Sequence, residues 1–276
     1  MTSTLVEVVG SVVVATSFTL VQDIPPIGHR EAMTIADTET KRLLAVVDQL
    51  EERDWSRRTD CIEWDVKALL SHMLGSLTAN ASVFAMVRQL SLGIRASRRT
   101  GRPMLDEVNA RHVADHADKT PAELVRALHR LGPKAVQRRR RTPAIVRAMK
   151  IRPGPPVDGK VSLGELVGVV LNLDMWMHRT DLTRATGREH ELTAQHDGRI
   201  VADIVAAWAR LHGQPFTLTL DGPAGGAFRL GVGGPDYHLD AVELCRILSG
   251  RAPGFGLLLY SRFRPAPSTV SPDRDA

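Results

Sequence analysis

Residues 162–187 read SLGELVGVVLNLDMWMHRTDLTRATG, and they have the features of one long, largely apolar helix. Ser162 followed three residues later by Glu165 forms a capping box, in which each side chain accepts a hydrogen bond from the other residue's backbone N–H. Apolar residues then recur at helical spacing. Gly187 follows the pattern, and a glycine at that position commonly ends a helix. The segment therefore predicts a buried helix that runs from Leu163 to Ala185.

Helical periodicity also occurs upstream of this segment. It covers residues 31–52, residues 64–90 with breaks, residues 109–117, and a stretch that opens with the start signal Thr120-Pro121-Ala122-Glu123. Residues 95–103 are predicted as a loop, and Gly132-Pro133 is predicted to interrupt a helix. Four substantial helices thus precede residue 190, which predicts a helix bundle.

The pattern changes after residue 190. A helix over 200–211 is followed by strand-like stretches at 216–220 and 228–232 and by a helix over 239–248. We therefore expect a mainly α protein with two domains, a helix bundle over 24–190 and a small α+β C-terminal domain over 191–264. Residues 1–23 are predicted to be an extra leader, and residues 265–276 a disordered tail.

The composition is that of a soluble globular protein, since 43% of the 276 residues are hydrophobic and 24% are charged. The two cysteines, Cys61 and Cys245, are too few for a disulfide framework and indicate a reduced, cytoplasmic protein. The apolar residues 5–21 lack the pattern of a signal peptide and are too short and too polar to span a membrane.

The net charge of +5 is unevenly distributed, with basic clusters at 88–102 and 130–152 that include the run from Arg138 to Arg141. A basic face can attract nucleic acid, so a non-enzymatic binding or regulatory protein is one alternative. Aromatic residues make up only 4% of the chain, and no nucleic-acid-binding motif accompanies the arginines. These features favour a solvated helix face rich in arginine.

Polar residues interrupt two of the apolar helices. Asp174 and His178 are spaced i and i+4, so their side chains meet on one face of a helix and could chelate a divalent metal. His72 lies in the apolar sequence Ala68-Leu69-Leu70-Ser71-His72-Met73-Leu74 of another predicted helix. Metal sites in bundles are built from such inward-facing residues. The alternative is a buried Asp–His pair and a core histidine without metal.

The order of motifs resembles that of the mycothiol-dependent maleylpyruvate isomerase family, within the broader DinB-like metal-binding bundles. The matching motifs are Ile24-Pro25-Pro26, Trp55-x3-Thr59-x-Cys61-x2-Trp64-x-Val66, Leu69-Leu70-x-His72, His178-x2-Asp181-Leu182-x2-Ala185-x-Gly187 and Leu248-Ser249-Gly250-Arg251. They span about residues 24 to 263, nearly the whole chain. No single motif is as specific as a nucleotide phosphate-binding loop, but their order and spacing together are fairly specific.

This resemblance implies a DinB-like four-helix bundle with a metal triad of a histidine followed by Glu-x3-His. By position, the triad becomes His72, Asp174 and His178. Asp174 stands where the family usually has glutamate and is shorter by one methylene group, so a degenerate bundle without metal is a further alternative. Zinc is the default expectation for two imidazoles and one carboxylate.

The resemblance also implies a thiol-dependent enzyme. In the family, mycothiol supplies a thiolate that adds to a small electrophilic substrate, and the outcome is isomerisation or, if the thiol stays attached, S-transfer. Asp181, one turn beyond His178 on the same helix face, is expected to orient a metal ligand, and the alternative is a helix cap or surface salt bridge. Arg251 is expected to bind a substrate carboxylate, and the alternative is a surface arginine after a helix-ending glycine. A low-molecular-weight thiol and a small electrophile are the expected partners, without nucleic acid or membrane. The oligomeric state stays open.

Two further candidates receive structural interpretations. His112 and His116 are also spaced i and i+4, but their polar neighbours predict a solvated helix face instead of a metal site. Cys61 precedes the His72 helix and is interpreted as a small buried residue.

Overall fold

Helices make up most of the computed structural model, which describes residues 17–152 and 159–260. They are α1 His29–Val47, α2 Val66–Ala81, α3 Val83–Thr100, α4 Met104–Ala114, α5 Pro121–Arg140, α6 Ala144–Ala148, α7 Leu163–Glu165, α8 Leu171–Thr186, α9 Asp197–His212 and α10 Ala241–Leu248. The strands are β1 Thr19–Leu20, β2 Lys150–Ile151, β3 Val161–Ser162, β4 Phe216–Asp221, β5 Gly226–Leu230 and β6 Asp236–Asp240. The predicted tail over 265–276 and residues 1–16 of the predicted leader lie outside the described residues.

Four of these helices, α1, α2, α5 and α8, pack against one another as a bundle. Many of their buried apolar side chains form one cluster, in which Leu70 and Leu74 of α2 lie with Leu124 and Leu128 of α5. Helices α3 and α4 form a hairpin that packs on the α2 side of the bundle. The predicted helix bundle is therefore confirmed. Not one of the described helices is long and apolar enough to cross a membrane.

Two predicted interruptions of this bundle are wrong. Residues 95–100, predicted as part of a loop, belong to α3, which ends only at Gly101 in a left-handed conformation with φ 76°. Arginine is a good helix former, so a dense run of it does not by itself indicate a loop. Helix α5 continues through Gly132 and Pro133 because side chains on both sides, such as Leu128 and Val136, are buried in the protein.

The helix predicted over 163–185 is present, but a π-helical turn interrupts it. Ser162 accepts a hydrogen bond from the backbone N–H of Glu165 and caps α7, and the π-helical turn Leu166–Val170 then leads into α8. Such turns are rare and are frequent at functional sites. Gly187, at φ 68°, ends α8 as predicted. The turn immediately precedes the part of α8 that carries Asp174 and His178.

The C-terminal region contains a four-stranded sheet of order β1-β5-β4-β6. Strands β4 and β5 pair as an antiparallel hairpin, whereas β6 runs parallel to β4. Strand β1 pairs with Phe228 and Arg229 of β5, so the last residues of the predicted leader are part of the fold. Strand β6 was not predicted, because only Tyr237 in its sequence DYHLD is buried.

One hydrophobic cluster joins the bundle to the C-terminal region. Ile35 of α1 and Trp176 of α8 belong to the same buried cluster as Val201 of α9 and Phe216 of β4. The predicted boundary near residue 190 stays a prediction, but the two regions on either side of it share a core. The sheet and α10 are thereby held against the bundle, close to the residues described next.

Candidate metal centre

His72 of α2 and the pair Asp174 and His178 of α8 converge on one point, with a ligand atom from each lying within 4.8 Å of the others. Asp174 Oδ1 is 3.4 Å from His178 Nε2, and Asp174 Oδ2 is 3.8 Å from His72 Nε2. Both imidazoles are buried, whereas the Asp174 side chain is 42% exposed. The structure thus brings together the three predicted metal ligands, on two facing helices.

The His72 ring fits a cation because its nitrogens are unsatisfied. Both nitrogens are buried, and neither has a hydrogen-bond partner among the residues that the structure describes. Most buried polar atoms in proteins are hydrogen-bonded, so a partnerless pair requires an explanation. Trp64 stacks on the ring, with centroids 4.7 Å apart, which holds the ring without satisfying its nitrogens. Two imidazoles and a carboxylate are a donor set that suits zinc, with positions left for other ligands.

Asp181 supports His178 from the opposite side. Its Oδ2 lies 3.0 Å from His178 Nδ1, which leaves Nε2 directed towards Asp174. Arg251, which follows α10, donates from Nε and Nη2 to the two carboxylate oxygens of Asp181 at 2.7 and 2.8 Å. Such a bidentate pair fixes the carboxylate in place. This geometry agrees with the orienting role predicted for Asp181, and a substrate carboxylate at Arg251 would have to use the remaining guanidinium nitrogen.

Cys61 belongs to the same group of side chains. Its Sγ is 3.3 Å from Asp181 Oδ2 and 3.6 Å from Arg251 Nη2, and it is 3.9 Å from His178 Nδ1. The interpretation of Cys61 as an inert buried residue missed this contact. The sequence did place Cys61 three residues before Trp64. In the structure Trp64 stacks on His72, so the segment that carries Cys61 lies at the candidate site.

The electrostatics of the triad differ between its members. Burial lowers the pKa of His72, so the ring is neutral, the form that binds a metal. Burial would also lower the pKa of His178, but Asp174 and Asp181 outweigh it and raise that pKa well above its ordinary value. Desolvation of the Asp174 carboxyl is likewise outweighed, by His178 and His72, which hold its pKa well below the usual range. Metal binding here would release a proton from His178.

A cavity of about 1130 Å³ adjoins the triad. His72 and Asp174 lie in its wall, which also contains the cationic residues Arg147, Lys150 and Arg210. The cavity has the size of a site for small molecules. The wall also contains Arg251 and the acidic residues Asp106, Glu165 and Asp203, so the cavity provides room for ligands beside a metal ion and charged groups of both signs.

His112 does not lie on a solvated face, so that prediction is wrong. It is 6% exposed and lines the same cavity, and its ring centroid lies 5.3 Å from that of His72. Burial, with the nearby His72 as the next cause, lowers the pKa of His112 to about 3. Its polar neighbours in the sequence concealed this position, because the residues that bury it come from α2 and α3.

The arginine run in α5 is only partly a solvated face. Arg139 is buried and donates to Asn172 Oδ1 at 2.6 Å, and Arg138 donates to the backbone oxygen of Asn80 at 3.2 Å. Arg140 reaches the backbone oxygen of Met33. The predicted solvated face is thus wrong for Arg139, and the run holds the bundle together.

A second buried group of possible ligands, Glu39, His196 and Asp197, is held by an arginine. Arg179 pairs with Glu39 at 2.9 Å and with Asp197 at 2.8 Å, so a cation already lies between the two carboxylates. This cluster connects α1 and α8 to α9.

Comparisons with known proteins identify the family and support the fold. The model of the family described as mycothiol maleylpyruvate isomerase N-terminal domain matches residues 36–183, which include the whole triad. A crystal structure of the mycothiol-dependent maleylpyruvate isomerase is similar at 16% identity and a TM-score of 0.55, over 85% of this chain and 93% of that chain. That of a histidine-to-alanine mutant is similar at 15% identity, with the same TM-score and coverage. No curated protein matches. The similarity confirms the predicted DinB-like four-helix fold with a small sheet region.

Proposed function

The chain belongs to the mycothiol maleylpyruvate isomerase family, and on that premise we propose that it is a metal-dependent and thiol-dependent isomerase or S-transferase that acts on a small electrophile. Mycothiol is the proposed thiol. The observation that carries the proposal is the buried His72 ring, whose nitrogens have no hydrogen-bond partner among the described residues. The ring lies close to Asp174 and His178, and His72 and Asp174 are in the wall of a large cavity.

Three residues would bind the metal, and two further residues would fix the position of one of these ligands. His72, Asp174 and His178 are the proposed ligands, with Asp181 and Arg251 fixing the orientation of His178. A divalent ion, zinc by the nature of the donor set, would lower the pKa of a thiol beside it and so favour the nucleophilic thiolate. The proton released on metal binding would come from His178, whose pKa the two aspartates raise.

The cavity would bring thiol and electrophile together. Placing two reactants side by side removes much of the entropic barrier to their reaction. Among the charged residues of the wall, Arg251 lies closest to the triad and could contact the carboxylate of a substrate through its remaining guanidinium nitrogen. The thiol sulfur adds to an electrophilic carbon of a double bond, which becomes a single bond and can rotate. Loss of the same thiol restores the double bond as its isomer, whereas retention of the thiol completes an S-transfer.

The proposal is tested with purified, zinc-loaded protein. Maleylpyruvate is supplied with mycothiol, with glutathione or without thiol, and a chloro-substituted aromatic electrophile is tested for S-transfer. We expect turnover that requires mycothiol and that falls at least about 100-fold in His178→Ala. His116→Ala, in the turn that follows α4, is the control and should retain the activity. The proposal would be contradicted if zinc-loaded protein turned over neither electrophile, whether mycothiol or glutathione was supplied.

A further inference from the structure

Gly75 allows His112 to approach the metal centre. A Cβ atom at Gly75 would lie only 2.4 Å from His112 Cγ, so the imidazole rests directly on the backbone of α2. Gly75 is three residues after His72, on the same side of that helix. The glycine therefore places a second histidine, from α4, beside the proposed ligand.

Gln89 determines which nitrogen of His112 carries the hydrogen. The Gln89 amide donates from Nε2 to the backbone oxygen of Gly75 at 3.1 Å, so its Oε1 faces His112 Nε2, at 2.9 Å. An amide oxygen can only accept, and His112 Nε2 must therefore be the N–H. In a neutral ring, Nδ1 then has a free lone pair. This Nδ1 is buried without a hydrogen-bond partner in the described part of the chain.

His72 has the complementary requirement. A histidine that binds a metal through one nitrogen keeps a hydrogen on the other, and it almost always donates that hydrogen to an acceptor. The His72 and His112 ring centroids are 5.3 Å apart. Two imidazoles joined by one N–H···N hydrogen bond have centroids roughly 5 Å apart, given a donor–acceptor distance of about 3 Å.

We propose that Gln89 and His112 are positioning residues of the metal centre. The structure leaves His112 Nδ1 and both His72 nitrogens without a hydrogen-bond partner among the described residues. In the proposed arrangement the two neighbouring rings turn so that His112 Nδ1 accepts the N–H of His72, which leaves the lone pair of the other His72 nitrogen for the metal. The sequence of contacts would run from the Gly75 carbonyl through Gln89 and His112 to His72. It gives the α3–α4 hairpin a function, since α3 carries Gln89 and α4 carries His112. The inference rests on the proposed function, because it requires His72 to be a ligand.

The test measures tautomers and zinc affinity, independently of turnover. Long-range proton–nitrogen NMR of metal-free protein with labelled histidine distinguishes the two tautomers, and we expect His112 to be protonated on Nε2. Competition with a chelator gives the zinc affinity. His112→Phe keeps a ring over Gly75 but removes the acceptor, and we expect it to weaken zinc binding by about 10- to 100-fold. His116→Phe, four residues further along the chain in the turn after α4, should leave the zinc affinity unchanged.

Two substitutions of Gln89 separate hydrogen bonding from packing. The carboxylate of Gln89→Glu still accepts from His112 Nε2, whereas Gln89→Leu cannot. We expect Gln89→Glu to keep the zinc affinity near that of the wild type, and Gln89→Leu to lower it and to mix the tautomers of His112. Equal zinc affinities in these two variants would show that packing alone matters and would overturn the inference. These variants also decide the question should His112→Phe fail to fold.

The outcomes also distinguish the inference from the proposed function. Two results would overturn the arrangement and leave the metal centre intact. The first is equal zinc affinity in the wild type and His112→Phe. The second is a His112 ring protonated on Nδ1. A wild type that binds no zinc overturns the metal centre and the inference with it.

Discussion

At the residue scale, Asp174 stands where the family usually has glutamate, and its side chain is shorter by one methylene group. Its two oxygens lie 3.4 and 3.8 Å from His178 Nε2 and His72 Nε2. Two ligand atoms of a tetrahedral zinc ion, each about 2.0–2.2 Å from the metal, are separated by roughly 3.3 Å. Each aspartate oxygen lies close to this separation from one of the two imidazoles, which supports the proposal that Asp174 is a ligand. The shorter side chain is compatible with metal binding.

We predict that Asp174→Asn and Asp174→Glu differ in zinc affinity. The amide is uncharged and a poor zinc ligand, so Asp174→Asn should weaken binding by at least about 10-fold. Asp174→Glu, which restores the residue usual in the family, should stay within a few-fold of the wild type. Chelator competition measures both variants. Undiminished affinity in Asp174→Asn would show that the carboxylate is not a ligand.

Removal of Arg251 would leave the buried carboxylate of Asp181 without its ion-pair partner. Asp181 is fully buried and Arg251 is 14% exposed, and breaking such a pair from one side costs about 3–5 kcal/mol. We expect Arg251→Met to lower the free energy of unfolding by about 3 kcal/mol in urea denaturation. Arg184→Met, which breaks an exposed pair with Asp60, should cost under about 1 kcal/mol. A loss confined to substrate affinity would instead favour the predicted contact with a substrate carboxylate.

The three candidate ligands could be recognised in the sequence because each has a local signal, and the family resemblance joined them into one triad. Asp174 and His178 are one helical turn apart, and His72 interrupts an apolar helix face. The contacts of His112 and Cys61 could not be predicted in this way, since they depend on the approach of separate helices and loops. Gly75, within the apolar face of α2, was the sequence sign of such an approach.

At the scale of elements, α5 shows how packing can override a local break. The helix passes through Gly132 and Pro133, and a Cβ atom at Gly132 would lie 2.8 Å from Thr40 Cγ2 of α1. The glycine thus allows α1 and α5 to pack closely, while Pro133 is exposed. Local turn chemistry predicted an end at this point because it does not include the burial of the flanking residues.

The two adjacent positions should respond to alanine in opposite directions. Pro133→Ala restores a backbone donor and a better helix former, and we expect it to stabilise the protein by about 1–2 kcal/mol, after allowing for the more flexible unfolded chain. Gly132→Ala overpacks the interface with the buried Thr40, so we expect a loss of about 1–3 kcal/mol. Urea denaturation measures both. A destabilised Pro133→Ala would mean that the proline itself contributes to the packing.

At the scale of the whole molecule, ionisable groups that folding removes from water make the stability depend on pH. His190 follows α8, and its Nε2 lies 3.4 Å from Thr180 Oγ1. Burial, with the charge of Arg179 as the next cause, lowers the pKa of His190 to about 4. Its pKa in the unfolded chain is about 6.5, so between these values the unfolded state binds more protons than the folded state.

Stability should therefore fall on acidification. The contribution of His190 is fully present above about pH 6.5 and is lost as the pH falls towards about 4. We expect His190→Gln to reduce the loss of unfolding free energy between pH 7 and pH 4.5 by about 2 kcal/mol. Urea denaturation at several pH values measures this difference, with the exposed His238→Gln as control. An unchanged pH dependence in His190→Gln would show that His190 titrates normally in the folded protein.

The overall architecture could be predicted because the order of motifs extends over nearly the whole chain. What could not be predicted is the junction between its two regions. Strand β1 comes from the residues predicted as a leader, and Trp176 shares a core with Phe216, forty residues further along the chain. Such contacts between distant parts of the sequence leave no periodic signal in either part.

The most direct test of the metal centre is the metal content of protein purified without a histidine tag, measured by mass spectrometry. We predict close to one divalent ion per chain in the wild type and in His116→Ala, and its loss in both His72→Ala and His178→Ala. A wild type that holds no ion, even after exposure to zinc, nickel or manganese, would contradict the account.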